Sequence, residues 1–389
     1  MPLYLFSALL HAYVGWRLIP SLGAWPAASL ATVLVASTVL MPLGLMARRH
    51  VRGPWADRLA WAGLLAMGLF SSLFVGTVLR DAVLALVALA HGAAPEWVWA
   101  AAAQTSWPAS SAVVVPVLAL AVTLWGLFNA RRTARVVRVD VPLQGLPQAL
   151  HGLTVAQITD VHVGPTIRRG YLQAIVQRVN ALEPDLVAIT GDLVDGRVAE
   201  LAPHVAPLQD LRSRHGSFFV TGNHEYYSGA HAWINELQRI GVRVLLTELV
   251  VLEHGAGRLV VAGVADWSAH HFDPAHRSDP AKAVVGAPAD AVRLLLAHQP
   301  RSAPAAADAG FDLQLSGHTH GGQFWPWNHF VRLQQPFTAG LHRLGRLWVY
   351  TSRGTGYWGP PKRLGAPSEI TLLRLVAAGP QVTSPGTTG

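Results

Sequence analysis

The sequence predicts an α/β domain preceded by an all-α membrane anchor. Two observations support this prediction: the distribution of charge and a change of hydrophobic pattern near residue 150. Only nine charged side chains lie in residues 1–128, although the whole chain has 30 basic and 22 acidic residues. An ordinary soluble protein has about 25% charged residues, and this chain has 13%. The average therefore combines two different parts, which excludes one uniform soluble domain, a disordered chain and a transporter filling the whole length.

Four apolar stretches in the first part approach or reach the roughly 20 residues that a membrane-spanning helix needs. They are residues 3–20, 27–46, 59–90 and 110–128. The third is too long for one crossing, so we expect 59–79 to span, with Arg80 and Asp81 at the interface and the helix continuing beyond them. We therefore predict about four spans, with a fifth short span as the alternative.

Arginines in the connecting segments predict the orientation of these spans, because cytoplasmic loops carry an excess of basic residues. The loop after the second stretch and the segment after the fourth are basic, whereas the loop 92–109 has no Lys or Arg. The basic residues are Arg48, Arg49, Arg52, Arg58, Arg131, Arg132, Arg135 and Arg138. We therefore predict both termini and the second domain in the cytoplasm. The predicted boundaries are an anchor over 1–130, a basic linker over 131–150, an α/β domain over 151–376 and a disordered tail over 377–389.

Short apolar runs followed by turn signals predict the buried strands of the second domain. The runs are 153–158, 186–189, 218–220, 259–264, 292–297 and 313–315, and helical patterns occupy 169–182, 199–214 and 230–240. Strands that alternate with helices are typical of a layered α/β domain.

Potential metal ligands follow five of these runs. They are Asp160, His162, Asp192, Asn223, His298, His318 and His320. In α/β sheets, ligands bind beyond the carboxyl ends of strands. Seven oxygen and imidazole donors are too many for one tetrahedral ion, but they suit two ions about 3.5–4 Å apart that share a carboxylate. A donor set without thiolate fits Mn²⁺, Fe or Zn²⁺ and does not select among them.

A pair of metal ions at this position predicts hydrolysis of a phosphate ester. Two ions lower the pKa of a bridging water, so that a metal-bridging hydroxide can attack, and they hold both oxygens of an in-line displacement. His224, next to Asn223, is placed to give a proton or a hydrogen bond to the leaving oxygen. A single His after a strand is more often a hydrogen-bonded loop residue, and it is the five matches in one chain that favour a site.

Composition excludes several other classes of site and partner. The net charge of +8 suggests nucleic-acid binding, but 28 of the 30 basic residues are Arg scattered along the chain. Nucleic acid is therefore not expected as the main partner. The chain has no Cys, which excludes disulfides, thiolate metal sites and a Cys nucleophile.

The motifs Asp-x-His, Gly-Asp-x-x-Asp, Gly-Asn-His-Glu, a lone His and Gly-His-x-His, in this order, resemble those of the calcineurin-like metallophosphoesterases over residues 150–376. The resemblance implies a β-sandwich flanked by helices. It also implies a first metal held by Asp160, His162 and His320, a second held by Asn223, His298 and His318, and Asp192 as the bridge. His224 would be the leaving-group acid, and Asp195 would orient it.

A narrower resemblance concerns residues 317–323, Gly-His-Thr-His-Gly-Gly-Gln, and residues 352–356, Ser-Arg-Gly-Thr-Gly. Both look like segments of the YkuE/YaeI-type bacterial phosphodiesterases, some of which carry N-terminal membrane segments. The resemblance implies a phosphodiesterase more than a monoesterase, in the cytoplasmic membrane of a bacterium. On the same grounds Gln323, Arg353 and Trp358 are candidate substrate contacts, with Arg353 as a clamp on a phosphate oxygen. A structural use of each of these side chains is the alternative.

A membrane anchor favours a lipid-linked or nucleotide-lipid phosphate as substrate, with the bilayer as the second partner. Two alternatives remain open: a membrane scaffold or regulatory protein with a catalytically idle phosphoesterase fold, and a small transporter with an appended enzyme. The complete set of metal ligands counts against the first. The few charges within the spans, with no expected ion-pair network, count against the second. The sequence does not indicate an oligomeric state.

Overall fold

The structure is a computed structural model that describes residues 2–51, 53–90 and 107–379. The chain divides into two compact units. The helical unit contains residues 1–131 together with the short segment 359–364, and the sheet unit contains residues 132–358 and 365–389.

Four helices form the described part of the helical unit. They are α1 (Pro2–Leu18), α2 (Ala24–His50), α3 (Pro54–Ala90) and α4 (Trp107–Arg131). Three are long and apolar enough to cross a membrane, at residues 24–47, 54–87 and 109–131, and α1 has 17 residues. The prediction of an apolar helical anchor is confirmed, with three helices of spanning length where about four were expected. Helix α3 continues beyond Arg80 and Asp81 to Ala90, as expected, and the alternative of a fifth short span stays a prediction.

A partly buried ion-pair network joins α1 to α3, which corrects the expectation that the spans hold none. Arg17 Nε lies 2.7 Å from Asp81 Oδ2, and the Tyr13 hydroxyl donates to the same oxygen over 2.8 Å. Arg80 Nη1 is 3.4 Å from Asp81 Oδ1. A charge among apolar helices is costly unless it is paired, and the pairing partners here are 64 residues apart in the chain.

Lys362, in the segment 359–364, is buried among the helices of this unit. Its ammonium group donates to the carbonyl oxygen of Gly68 over 3.1 Å and to the hydroxyl of Ser72. A Cβ on Gly126 would lie 2.6 Å from the Lys362 side chain, so the absent side chain at Gly126 leaves room for the lysine. The predicted domain boundaries assign this segment to the α/β domain. The sequence does not show that it packs with the helices, because its hydrogen-bond partners there are at least 239 residues away in the chain.

Two six-stranded sheets form the sheet unit. The first has the order β1 (Arg135–Leu143), β12 (Glu369–Ala377), β2 (Thr154–Ile158), β3 (Leu186–Ile189), β4 (Ser217–Phe219) and β5 (Arg243–Val244). The second has the order β10 (Gly340–Leu344), β11 (Leu347–Thr351), β9 (Leu313–Ser316), β8 (Val292–Leu296), β7 (Gly257–Val264) and β6 (Thr247–His254). Strands β2 to β5 are parallel in the first sheet, and β7, β8, β9 and β11 are parallel in the second.

Apolar side chains between the two sheets form one buried core. Val155 and Leu186 of the first sheet and Leu259 and Leu294 of the second belong to this cluster. The helices of the unit are α5 (Arg169–Asn180), α6 (Val198–Val205), α7 (Asn223–Ser228), α8 (Ala230–Arg239), α9 (Pro280–Ala283) and α10 (Ala303–Asp308). Helices α9 and α10 pack on the other face of the second sheet. The β-sandwich flanked by helices is therefore confirmed.

Residues 135–143, expected in a basic linker, form strand β1 instead. This strand pairs in parallel with β12 over nine residues, from Arg135 opposite Glu369 to Leu143 opposite Ala377. Residues 138–141 of β1 alternate charged and apolar side chains, as a half-buried strand does, and the charged face holds an ion pair of Asp140 with Arg374 at 2.6 Å.

Other differences concern the ends of elements. The helix expected over 199–214 ends at Val205 and continues as a 3₁₀-helix to Asp210, because Pro207 cannot donate to an α-helical hydrogen bond. Strand β12 runs to Ala377, the first residue of the expected disordered tail, and residues 380–389 of that tail lie outside the described residues.

Candidate metal centre

The Asp and His side chains predicted as metal ligands, together with His224, meet where β2, β3, β4, β8 and β9 end. They form three overlapping groups, and within each group the candidate donor atoms lie within 4.8 Å of one another. The groups are Asp160, His162 and His320; His162, Asp192 and His224; and Asp192, His298 and His318. Parallel strands place their carboxyl ends at one edge of a sheet, and the motifs after β2, β3 and β4 of the first sheet meet those after β8 and β9 of the second.

The first group presents two imidazole nitrogens to each other. His162 Nε2 lies 3.0 Å from His320 Nε2, and the latter is 3.4 Å from Asp160 Oδ1. Two ring nitrogens that face each other can both accept, and both are satisfied when a cation lies between them. The geometry and the donor types therefore fit a metal ion.

The third group contains a fixed imidazole tautomer. His298 Nδ1 donates to the Thr190 carbonyl over 2.7 Å, which leaves Nε2 as the ligand atom. That Nε2 is 3.2 Å from His318 Nδ1. The side-chain oxygen of Asn223 is buried and has no hydrogen-bond partner among the described residues. A buried amide oxygen without a partner costs free energy, and a metal ion would satisfy it.

One oxygen of Asp192 lies between His162 of the first group and His298 of the third. Asp192 Oδ2 is 3.1 Å from His298 Nε2 and 3.9 Å from His162 Nε2. The other oxygen, Oδ1, accepts a hydrogen bond from the backbone N–H of His224 over 2.9 Å. The carboxylate is thus fixed with a single oxygen facing both groups, which is the position that a bridging ligand needs.

One carboxylate oxygen of Asp195 lies within hydrogen-bonding distance of two histidines. Its Oδ1 lies 2.6 Å from His224 Nδ1 and 3.0 Å from His162 Nδ1. Burial of Asp195 is outweighed by the two histidines, which keep its pKa below the usual range. Burial likewise disfavours charge on His224, but the carboxylates of Asp192 and Asp195 raise its pKa to about 9. His224 is therefore oriented with Nε2 directed away from Asp195 and is available as a proton donor.

Backbone strain is concentrated at this site. Among the described residues, seven other than glycine have a positive φ, and only one of them, Glu183, lies outside the motifs. The other six are Asp160, His162, Asp192, His318, His320 and Gln323. A left-handed residue with a Cβ costs about 1–2 kcal/mol, so the fold stabilises a backbone that propensity alone disfavours. Such strain is typical of functional sites.

Two glycines allow the backbones of the motifs to approach each other. A Cβ on Gly317 would lie 2.1 Å from Asp160 Oδ2, and a Cβ on Gly222 would lie 2.2 Å from Asp192 Oδ1. These distances are far shorter than van der Waals contact, so any side chain at either position would displace a carboxylate. The close approach of these backbones to the carboxylates therefore explains why the motifs have glycine at both positions.

Sequence reasoning assigned no role to Glu225, which the structure places beneath the site. The carboxylate is buried and accepts four backbone N–H groups. Oε2 accepts from Gly222 over 2.6 Å and from Asp192 over 3.0 Å, and Oε1 accepts from Leu193 over 2.8 Å and Val194 over 3.3 Å. Glu225 thus fixes together the two loops that carry Asp192 and Asn223. The Gly-Asn-His-Glu motif was the only signal for it.

Two of the three predicted substrate contacts, Gln323 and Arg353, bind other groups of the protein. Gln323 Nε2 donates to the Trp358 carbonyl over 2.7 Å, and its Oε1 accepts from the Trp358 N–H over 2.8 Å. Arg353 Nη1 lies 3.0 Å from the buried carboxylate of Glu369. Gln323 therefore fixes the backbone of Trp358, whose ring contacts His224 with a centroid distance of 5.8 Å. Arg353 keeps about a third of its side chain exposed.

Comparison with known proteins identifies the family that the sequence motifs resemble. A family model described as calcineurin-like phosphoesterase matches residues 153–322. The chain is 42% identical over 283 residues to a bovine (Bos taurus) "Transmembrane protein with metallophosphoesterase domain", a match that covers 70% of this chain and 63% of the relative. The chain thus spans less than two thirds of that relative's length.

Bacterial relatives are matched over a larger share of their length. The chain is 36% identical over 265 residues to an "Uncharacterized metallophosphoesterase" of Helicobacter pylori (strain J99), covering 67% of this chain and 69% of the relative. It is 27% identical over 240 residues to the metallophosphoesterase YkuE of Bacillus subtilis, covering 59% of this chain and 81% of the relative. The motifs, the two-sheet fold and these matches agree, and the chain belongs to the calcineurin-like metallophosphoesterases.

Proposed function

We propose that this protein is a membrane-anchored phosphodiesterase that uses two divalent metal ions. The observation that supports this most strongly is the position of Asp192 Oδ2 between His162 and His298, which belong to different groups of candidate ligands. His224 lies beside them. We assign Asp160, His162 and His320 to one ion, and Asn223, His298 and His318 to the other. The ions would supply an activated water and neutralise charge on the phosphate. Their identity among Mn, Fe and Zn is left open by the ligand types.

The chain's own residues have separate tasks in this proposal. His224 gives a proton to the leaving oxygen through Nε2, because its Nδ1 is held by Asp195. Asp195 also fixes His162, so one carboxylate positions both the acid and a ligand. Glu225 acts only through the backbone of the two loops and does not touch the reacting atoms.

Exposed aromatic side chains next to His224 favour a substrate with an apolar or flat leaving group. Tyr227 lies 5.3 Å from the His224 ring and Trp358 lies 5.8 Å from it, measured between centroids. Phe272 packs against Tyr227 at 5.6 Å. All three are more than half exposed. We propose that these rings, which we call the aromatic rim, receive a lipid or nucleotide group.

We also propose a location for the catalytic unit. The apolar helices and the relatives named as transmembrane proteins support membrane localisation. Positive residues in the connecting segments favour the cytoplasmic face, and we extend this to the cytoplasmic membrane of a bacterium. A reporter fused after residue 389 that is active only outside the cytoplasm would contradict this orientation.

The reaction is tested with the purified full chain in detergent and bis(p-nitrophenyl) phosphate, with Mn²⁺, Fe²⁺ and Zn²⁺ supplied in turn. We expect hydrolysis by the wild type, near-complete loss in Asp192→Asn, and loss of rate with metals retained in His224→Ala. A catalytically idle scaffold predicts that the wild type is as inactive as Asp192→Asn with every metal, and that outcome would overturn the proposal.

The leaving-group preference is tested with pairs of phosphodiesters that differ only in acyl chain length. We expect Trp358→Ala to raise KM for the long-chain member more than for the short-chain member. Val285→Ala serves as the control, because Val285 is an exposed apolar residue between α9 and β8 and is not part of the aromatic rim. Equal changes of KM for both members in Trp358→Ala would exclude the aromatic rim as a binding surface for the leaving group.

A further inference from the structure

A cluster of two histidines and a carboxylate lies outside the groups described above. It consists of His231 on α8 and Asp273 and His276 in the segment between β7 and α9, and their donor atoms lie within 4.8 Å of one another. His231 Nε2 is 3.0 Å from Asp273 Oδ2, and His276 Nε2 is 3.9 Å from the same oxygen. None of the three contributes to the proposed hydrolysis.

The spacing of these atoms matches that of ligands around one ion. In a tetrahedral zinc site with bonds of about 2.0–2.1 Å, neighbouring ligand atoms are roughly 3.3–3.4 Å apart. The two distances to Asp273 Oδ2, 3.0 and 3.9 Å, lie on either side of that value. Two imidazoles and one carboxylate also form a ligand set that zinc takes, with water as the fourth ligand.

Hydrogen bonds behind the cluster fix two of the three side chains. His276 Nδ1 lies 2.9 Å from the Tyr226 hydroxyl, so Nε2 is directed to Asp273. Asp273 Oδ1 accepts from the backbone N–H of Ala275 over 2.9 Å, which leaves Oδ2 for the histidines. Partners of this kind orient metal ligands and select the tautomer. His276 is largely buried, whereas the side chain of His231 is 73% exposed.

We propose that His231, Asp273 and His276 form a third metal site, which takes a zinc ion or a similar transition metal. Bound metal would fasten helix α8 to the segment that carries Phe272, one residue from Asp273 and in contact with Tyr226 and Tyr227. The site would therefore fix one side of the aromatic rim without entering the reaction. The proposal does not depend on the proposed function, since it concerns metal binding alone.

The test is the number of zinc ions bound by the full chain after equilibration with micromolar free zinc, measured by elemental analysis. We expect His231→Ala and Asp273→Asn each to bind one ion fewer per chain than the wild type. Asn keeps the oxygen that accepts from Ala275 but lacks the charge, and His231 is exposed, so both variants should fold. His271→Ala, in the same segment, is the control and should bind as many ions as the wild type.

A cysteine substitution distinguishes this site from the catalytic one. The chain has no Cys, so in His231→Cys a thiolate-to-cobalt absorption band after addition of Co²⁺ can come only from this position. We expect the band in His231→Cys and its loss when His276→Ala is added. Equal zinc counts in the wild type, His231→Ala and Asp273→Asn would overturn the proposal, and so would an equally strong band in His271→Cys.

Discussion

Replacing Glu225 by Gln should destabilise the sheet unit more than any exposed charge substitution. Each carboxylate oxygen accepts two backbone N–H groups, Oε1 those of Leu193 and Val194 and Oε2 those of Gly222 and Asp192. In Gln one of the two oxygens becomes an NH₂ group, which cannot accept. Two buried N–H groups then lose their acceptor, whichever way the amide turns.

The size of the effect follows from those two groups. Leaving a buried donor unsatisfied costs about 1–3 kcal/mol, so Glu225→Gln should lose roughly 2–6 kcal/mol of stability. For a unit of about 150–250 residues, each kcal/mol lowers Tm by about 2–4 °C. We therefore expect Tm to fall by at least about 4 °C.

The assay is thermal unfolding of the full chain in detergent, followed by tryptophan fluorescence at one scan rate. Glu248→Gln is the matched control, because Glu248 is exposed and such substitutions change stability by less than about 0.5 kcal/mol. The difference between the two variants should persist in a metal chelator, since the lost hydrogen bonds are within the protein. If Glu225→Gln unfolds at the same temperature as Glu248→Gln, Glu225 does not fix the two loops as described.

Three further substitutions test other parts of the site. Asp195→Asn should lower kcat and metal affinity each by about 10–100-fold, whereas His224→Ala should lower kcat by about 10²–10⁴-fold and leave metal content unchanged; equal metal affinity in both would show that Asp195 does not support a ligand. Gly317→Ala puts a Cβ 2.1 Å from an oxygen of Asp160 and should lose metal by elemental analysis, whereas Gly170→Ala, with open space around it, should not. Gln323→Ala frees the backbone of the tryptophan beside His224 and should raise KM for bis(p-nitrophenyl) phosphate with little change in kcat; a fall in kcat alone would refute a role in binding.

The metal ligands could be predicted from sequence because residues with metal-binding side chains come just after the predicted strands. Asp160, Asp192, Asn223 and His298 each follow an apolar run within three residues, and parallel strands bring such positions to the carboxyl edge of their sheet. Few alternatives explain this many donors in that arrangement. The prediction needed no knowledge of which strands are neighbours.

Other features could not be predicted because they depend on partners distant in the chain. Glu225 occurs within a recognised motif, but its role rests on backbone N–H groups some 32 residues away. From the sequence, Gln323 fits a substrate contact as well as a structural role. The structure shows that its amide forms hydrogen bonds with the backbone of Trp358. Strand β1 carries arginines that look like a topology signal, and its pairing with β12 joins residues more than 200 positions apart. The sequence pattern does not show which distant segments pair.

The most direct test of the binuclear metal centre is the position of the metals in a crystal of the full chain grown with Mn²⁺, located by anomalous scattering. We predict two peaks about 3.5–4 Å apart, one on each side of Asp192 Oδ2, with the Asn223 side-chain oxygen bound to the peak shared with His298 and His318. A single peak, or two peaks that do not share Asp192, would contradict the account of the site.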